Sequence, residues 1–278
     1  MNKEPLLSII VPCYNDVEYI EQAIDSVINQ TYSNKEIIIV DDGSNAETKL
    51  VLKKLESKIN QLITQENKGQ STARNIGIEE AKGVYILVLD SDDYFEPTFC
   101  EKAVNTFLDY SRVKLVTCYS NLIYENKRKG VFKPSGGTLK DVLKKNVAMG
   151  SAMFKKSDWS YVEGYDEMMR RGFEDWEFYI RLLARGGEAF VLKESLFNYR
   201  KRQNSTTSKA NRNKYDLLTY IYIKHKELYI EHFEGFVKHL LSRIEREEHE
   251  KTKNTLRLEY RIGYTILKPL RWVKKLLK

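Results

Sequence analysis

Short β-branched runs alternate with helical patterns along the first half of the chain, which is the pattern of βαβ units around a mostly parallel sheet. Leu6–Val11 is an apolar run ended by Pro12. Glu18–Gln30 then places Tyr19, Ile20, Ala23, Ile24, Val27 and Ile28 on one helical face. Strands are expected at Glu36–Val40, Gln61–Thr64, Val84–Leu89 and Val113–Tyr119, with helices at Ala46–Lys58 and Gln70–Lys82 and one opened by Pro97. Three of the runs end in polar or acidic clusters: Cys13-Tyr14-Asn15-Asp16, Asp41-Asp42-Gly43-Ser44 and Asp90-Ser91-Asp92-Asp93. Ligands bind beyond the carboxyl ends of strands in open α/β sheets, so three such clusters on one edge would form one pocket.

Further along the order weakens. Residues 121–172 are irregular, with a helix expected near Thr138–Lys145. A helix at Glu174–Ala184 and strands at Ala189–Leu192 and Leu196–Tyr199 follow. Past Lys209 the chain turns polar, Tyr- and Lys-rich and helical, which puts a boundary near 208: a domain over 1–208 and a helical extension over 209–278.

Composition narrows the class. The 278 residues are 42% hydrophobic, too apolar for a disordered chain, while a mean hydropathy of −0.52 and no apolar stretch of about 18 residues argue against an integral membrane protein. Met1–Pro5 lacks a secretion pattern, and three scattered cysteines (Cys13, Cys100, Cys118) suit a reducing cytoplasm rather than a disulfide scaffold. The net charge of +7 is local: residues 251–278 carry +8 and the rest −1. Nucleic acid is therefore not the expected partner, because the body that would carry specificity is neutral.

The motifs suggest chemistry with ordinary alternatives beside it. Alternate carboxylates in Asp90-Ser91-Asp92 could share a hard divalent cation and leave positions for phosphate oxygens. An Asp-x-Asp alone is common. The loop Asn67–Asn75 runs into a helix N-terminus suited to an anion, with Arg74 as a phosphate or base contact, although an N-capped helix with a solvated arginine would look the same. Glu174, Asp175 and Glu177 around Trp176 could be first-turn dipole complements, or a general base beside a sugar-stacking ring. Cys13 reads as a pocket wall, and His225, His232 and His239 lie two helical turns apart, too far to share a metal. No G-x-x-x-x-G-K-[ST], G-x-G-x-x-G or zinc spacing is present.

Taken in order, Val11-Pro12-Cys13-Tyr14-Asn15, Gln30-Thr31-Tyr32, Asp41-Asp42-Gly43-Ser44, Asn67-x-Gly69-x-Ser71-x-Ala73-Arg74-Asn75-x-Gly77, Leu89-Asp90-Ser91-Asp92-Asp93, Gly164-Tyr165-Asp166-Glu167 and Glu174-Asp175 resemble the inverting glycosyltransferases of family 2, over roughly Leu6–Thr207. The resemblance implies a GT-A fold, a Rossmann-like α/β sheet with flanking helices, with a nucleotide-binding part over about 1–119 and an acceptor part over about 120–208. It also implies transfer of one sugar from a nucleotide-sugar, usually UDP-linked, to a glycan or lipid-linked acceptor in cell-surface polysaccharide synthesis. By position it puts Pro12, Tyr14, Asn15, Asp41, Asp42, Asp90 and Ser91 at the nucleotide-sugar, Mn²⁺ or Mg²⁺ on Asp92, the catalytic base at Asp175, and Glu174 and Trp176 at the acceptor.

Two departures from the family pattern stand out. Many relatives carry a histidine where Arg202 stands. A guanidinium does not ligate metal, so Arg202 is expected at phosphate oxygens. The Gln-x-x-Arg-Trp signature of processive polymerases is absent, which favours single additions. The loop around Arg200–Thr207 is a candidate lid over the pocket. A phosphotransferase using Asp90 as nucleophile would normally want Thr or Val two residues after the second Asp, where Tyr94 follows Asp92-Asp93, and it gives Asp41-Asp42-Gly43-Ser44 no role. A non-catalytic adaptor would be expected to have broken acidic sites. Finally, Ile266, Leu267, Leu270, Val273 and Leu277 fall near one face with Trp272 at its edge and lysines and arginines around it. This reads as a basic amphipathic anchor on an anionic membrane, peripheral on the cytoplasmic side, or as a helix packed on the domain.

Overall fold

The computed structural model describes residues 4–202, 205–260 and 262–267. The first elements follow the alternation: β1 (Leu7–Cys13), α1 (Ile20–Ile28), β2 (Lys35–Asp41), α2 (Ala46–Leu55), β3 (Gln61–Thr64), α3 (Gln70–Glu80) and β4 (Tyr85–Val88). Next come β5 (Tyr94–Phe95), α4 (Phe99–Asp109), β6 (Val113–Tyr124), β7 (Lys127–Phe132), α5 (Leu139–Val142), β8 (Met153–Lys155) and α6 (Lys156–Tyr161). The remainder is α7 (Glu174–Leu183), β9 (Glu188–Arg200), α8 (Thr206–Arg212), α9 (Lys214–Lys224), α10 (Lys226–Glu231) and α11 (Phe233–Leu256).

The described strands make one sheet in the order β3-β2-β1-β4-β8-β6-β9-β5, with β7 paired to β6. The parallel character expected of the sheet holds for β3-β2-β1-β4 and for the β6–β9 pair. β8, β7 and β5 enter antiparallel. β1 and β2 are buried almost throughout because helices cover both faces, and this is why they read as continuous Ile/Val runs. α3 lies close on β1 and β2: a Cβ on Gly77 would stand 2.6 Å from Ile10 Cγ2 and 2.9 Å from Val40 Cγ2. Buried Gln30 ties α1 to α4, donating to Glu96 O and accepting from Cys100 N–H.

The chain divides into two compact units, 1–228 and 229–278. The first runs beyond the boundary that composition suggested near 208, because buried Ala210, Leu217 and Ile221 belong to it, as do side chains of α9 that serve α7. In the second, α11 carries Phe233, Phe236, Val237, Leu240, Leu241 and Ile244 at helical spacing, and Tyr229 packs on Phe236 with ring centroids 4.5 Å apart. Among the described residues no helix is long and apolar enough to cross a membrane. Residues 268–278, with most of the expected amphipathic anchor, lie outside the described residues.

Candidate active site

The parallel registers, with Cys13 opposite Asp41 and Ile10 opposite Val88, bring the three acidic strand ends to one edge. There they help to line a cavity of about 710 Å³, whose other walls come from α3, the segment 146–151, the start of α7 and the end of β9.

On the β1 and β2 side, Pro12 and Tyr14 line the cavity, and the Tyr14 ring is 50% exposed, open for a flat partner. Asp42 organises the neighbouring loop: Oδ1 accepts from Gln65 Nε2 (2.7 Å) and Lys68 N–H (2.8 Å), and Oδ2 from Gly69 N–H (2.9 Å). Gly43, with φ +77°, permits this, since a Cβ there would stand 2.7 Å from the backbone nitrogen of Asn67. Asn15 and Asp41, both expected at the nucleotide, do not line the cavity. Asp41 accepts from Ser44 N–H, and Asn15, at φ +58°, links the two loops through Asn45 N–H and Ser44 Oγ. Both shape the wall from behind.

The β4 end carries the densest charge. Asp90 Oδ1 accepts from Gln70 Nε2 and Arg74 Nη2, each at 2.7 Å. Ser91 donates to Asp16 at 2.5 Å. Asp92 and Asp16 are bridged by one guanidinium, with Arg202 Nη2 at 2.5 Å from Asp92 Oδ2 and Nη1 at 2.8 Å from Asp16 Oδ1. Arg202 therefore meets carboxylates in this structure. Burial raises the Asp92 carboxyl, the Arg202 cation lowers it, and nearby Asp90 and Asp16 raise it again, leaving it pushed up to about 6. Asp93 is buried and accepts from Arg200 N–H, which fastens the end of β9 to this turn. Burial, with Asp92 and Asp90 beside it, holds its carboxyl well above the usual range. Cys13 lines the wall, and burial pushes its thiol up to about 12, which disfavours the thiolate.

Arg74 crosses the site. It is 1% exposed, and while Nη2 binds Asp90, Nη1 binds Glu174 Oε1 at 2.7 Å. Both carboxylates it bridges come from predicted clusters, so the arginine read as a ligand contact is also the internal tie between the two halves of the pocket.

At the far end, Phe173 (φ +64°) turns the chain into α7. Asp175 Oδ1 accepts its successor's N–H, from Trp176, at 2.8 Å, and Oδ2 accepts from Asn146 Nδ2 at 2.8 Å. Burial and adjacent Glu174 push the Asp175 carboxyl up to about 6 against the pull of Arg74. Trp176, expected as a stacking platform, lines the wall but is only 7% exposed, its indole N–H fixed to Val142 O at 2.6 Å. It packs as structure, since a tied indole edge within a buried wall offers little free face. Glu174 is likewise spent on Arg74. Sequence reasoning missed Asn146, a lone asparagine in an irregular stretch with no pattern to mark it. It passed over Asp16, although that residue closes the first strand-end cluster.

A divalent cation fits the chemistry at Asp92. Asp92, Asp90 and Asp16 offer hard carboxylate oxygens there, and Arg202 supplies the positive charge beside them. No group of three His, Cys, Asp or Glu placed to hold a metal occurs among the described residues.

Comparison with known proteins gives the family. TuaG of Bacillus subtilis, a glycosyltransferase named for teichuronic acid biosynthesis, is 32% identical over 214 residues, covering 74% of this chain and 83% of TuaG. The hyaluronan synthase of Pasteurella multocida is 30% identical over 66% of this chain but only 19% of its own length. Among solved structures, residues 1–349 of S. aureus TarS in complex with UDP-GlcNAc superpose with a TM-score of 0.64 at 21% identity, covering 78% of this chain and 65% of that one. The likeness establishes the GT-A fold. The description glycosyl transferase family 2 matches residues 8–155, the span holding the three strand-end clusters and the Arg74 helix, and to that family this chain belongs.

Proposed function

We propose that the protein transfers one sugar, with inversion, from a UDP-sugar to a hydroxyl of a glycan or lipid-linked acceptor in cell-surface polysaccharide synthesis. The observation that carries this reading is one cavity shared by the Asp-x-Asp carboxylates and Asp175, its two sides joined by Arg74 through Asp90 and Glu174. TuaG is named for teichuronic acid biosynthesis and TarS is solved with UDP and UDP-GlcNAc, which supports the donor and the pathway class.

The exposed Tyr14 ring suits the nucleobase face, and Asp42 Oδ2, with one protein donor, keeps a lone pair for a ring N–H. A Mn²⁺ or Mg²⁺ ion on Asp92 would offset the charge that develops on the departing diphosphate. Asp175 takes the proton of the acceptor hydroxyl as its oxygen bonds the anomeric carbon and the bond from that carbon to the phosphate oxygen breaks. A carboxyl near 6 is mostly ionised at neutral pH yet basic enough to accept. Lys201, Arg202 and Thr206 also line the cavity. Residues 203 and 204 of the expected lid lie outside the described residues.

The phosphotransferase alternative needs Asp90 free to attack, whereas Asp90 Oδ1 is bound by Gln70 and by the buried Arg74. The test is a nucleotide-sugar panel with Mn²⁺, read as nucleotide release. Selective turnover of one UDP-sugar, lost in Asp92→Ala and Asp175→Asn, is the expected result. Release unchanged in both variants would overturn it.

The charge of residues 251–278 supports peripheral attachment to an anionic membrane at the cytoplasmic face. Each cation near such a surface contributes about 1 kcal/mol, and Leu256, Leu258, Ile262 and Ile266 are exposed apolar residues within that segment. Flotation with phosphatidylglycerol vesicles should be lost when the chain stops at Glu250. Flotation of that shortened protein would refute the attachment.

A further inference from the structure

Asp175 does not reach its working position unaided. It sits in the first turn of α7, where a side chain has several staggered choices. One oxygen is engaged by the N–H of the next residue, which fixes that end of the carboxylate only locally. The second oxygen is met by Asn146 Nδ2 at 2.8 Å, from a segment 29 residues away in sequence. That segment is itself stitched to α7. Trp176 Nε1 donates to Val142 O before Asn146, and Tyr179 Oη donates to Met149 O at 2.7 Å after it. Asn146 is thus delivered to Asp175 by bonds from residues 176 and 179 of the same helix.

We propose that Asn146 is a positioning residue for the base, holding Asp175 Oδ2 so that the carboxylate meets the acceptor hydroxyl with a lone pair free on each oxygen. This rests on the reading of Asp175 as base. An amide suits the place for a definite reason. It donates one bond, carries no charge, and does not compete for the proton being transferred. A carboxylate there would share a proton with Asp175, and an apolar side chain would leave the second oxygen without its donor.

The charged and titratable groups facing Asp175 are few. Glu174, on its own helix, opposes its ionisation. Arg74 from α3 favours it, and the buried hydroxyls of Tyr165 and Tyr179 lie within reach of its charge. The bond from Asn146 works with Arg74 and the Trp176 N–H to keep the carboxyl ionised against burial and Glu174. Removing it should therefore move the carboxyl upward and loosen its aim together.

The test compares the full-length protein with Asn146→Ala and Asn146→Asp. The Asp175 carboxyl is titrated by carbon NMR of aspartate-labelled protein, its resonance assigned by loss in Asp175→Asn. Release of UDP to water is followed against pH with UDP-glucose, UDP-galactose, UDP-GlcNAc and UDP-GalNAc, and UDP binding is measured separately. The midpoint is expected to rise by about one unit in Asn146→Ala and further in Asn146→Asp. The rate at pH 7 should fall between about ten- and a hundredfold in Asn146→Ala, with UDP affinity within twofold of the parent. A midpoint unmoved in both variants, or UDP affinity lost along with the rate, overturns the positioning role. Activity retained in Asp175→Asn instead refutes the base, a separate failure.

Discussion

Arg202 Nη2 stands 2.5 Å from Asp92 Oδ2, so the carboxylate proposed to hold a divalent cation is already paired with a cation of the chain's own. The arginine side chain is 37% exposed, its second nitrogen grips Asp16, and its guanidinium carbon lies 5.4 Å from the Tyr19 ring centroid. With Asp92 only 14% exposed, the pair is worth at least the upper end, about 1 kcal/mol, of what exposed pairs contribute. A metal ion must compete with it.

Arg202→Ala should therefore bind Mn²⁺ alone more tightly than the parent, by about fivefold or more. Asp92→Ala should abolish that binding in either background. Mn²⁺ titration by electron paramagnetic resonance, without nucleotide, reads both. Equal affinity in Arg202→Ala and the parent would mean that the pair does not contest the ion.

Asp175→Asn should lower transfer by about 10²–10⁴-fold while leaving UDP binding intact. In the parent, activity should fall on the acid side with a midpoint near pH 6, where burial and Glu174 have pushed the carboxyl. The stability effect has the opposite sign. A carboxyl raised in the fold above its unfolded value near 4 binds more protons folded than unfolded between those values, so its ionisation works against the fold as pH rises from about 4 to 6. Asp175→Asn escapes this and should gain up to about 2–3 kcal/mol over the parent by pH 8, with the gap closing toward pH 4. Thermal melts across pH check the crossing, and a gap that is constant with pH would contradict the cause.

What was legible in the sequence was whatever repeats with a period or ends a strand. β1, β2 and β4 announce themselves as Ile/Val runs because both faces are covered, and their acidic ends fall on one edge because parallel strands share a direction. β8 did not announce itself. Its three residues pair with β4 and β6, and a strand that short carries no alternation to read. The expected break between Ala189–Leu192 and Leu196–Tyr199 is a register shift within β9. In the site, residue types gave away the carboxylates, but which of them meet substrate and which meet each other depends on long-range pairing. Arg74 and Glu174 lie 100 residues apart, Arg202 and Asp16 186, and no local pattern foretells either bond.

That pairing makes Arg74 a stability residue as well as a site residue. Fully buried and bound to Asp90 and Glu174, it leaves two carboxylates without their cation when removed. Arg74→Ala should lose about 3–5 kcal/mol in urea unfolding, opposite in sign to Asp175→Asn at neutral pH. Arg74→Lys should recover part of that, since an ammonium reaches one carboxylate but lacks the fork that serves two. A loss below about 1 kcal/mol in Arg74→Ala would show that water reaches the pair.

The reach of the first unit to 228 has its own test. Glu177 is completely buried in α7. Burial alone would raise its carboxyl, but bonds from His225 and Arg181, with Lys224 adding to them, hold it well below the usual range. Two of those three partners come from α9 or the residue after it, and α9 also carries buried Leu217 and Ile221. A chain stopped at Arg212 strips Glu177 of Lys224 and His225 and forfeits about 1.5–3 kcal/mol for each of the two apolar side chains. A chain stopped at Leu228 keeps all of them. The longer form should unfold in one transition, and the shorter should melt far lower or fail to accumulate as folded protein. A carboxyl held low stabilises the fold at every pH above its unfolded value, and that contribution is lost as acid approaches its folded value. Glu177→Gln should therefore cost the longer form most at neutral pH and progressively less below about pH 4. Equal melting of the two truncations at pH 7 would place α9 outside the folded unit.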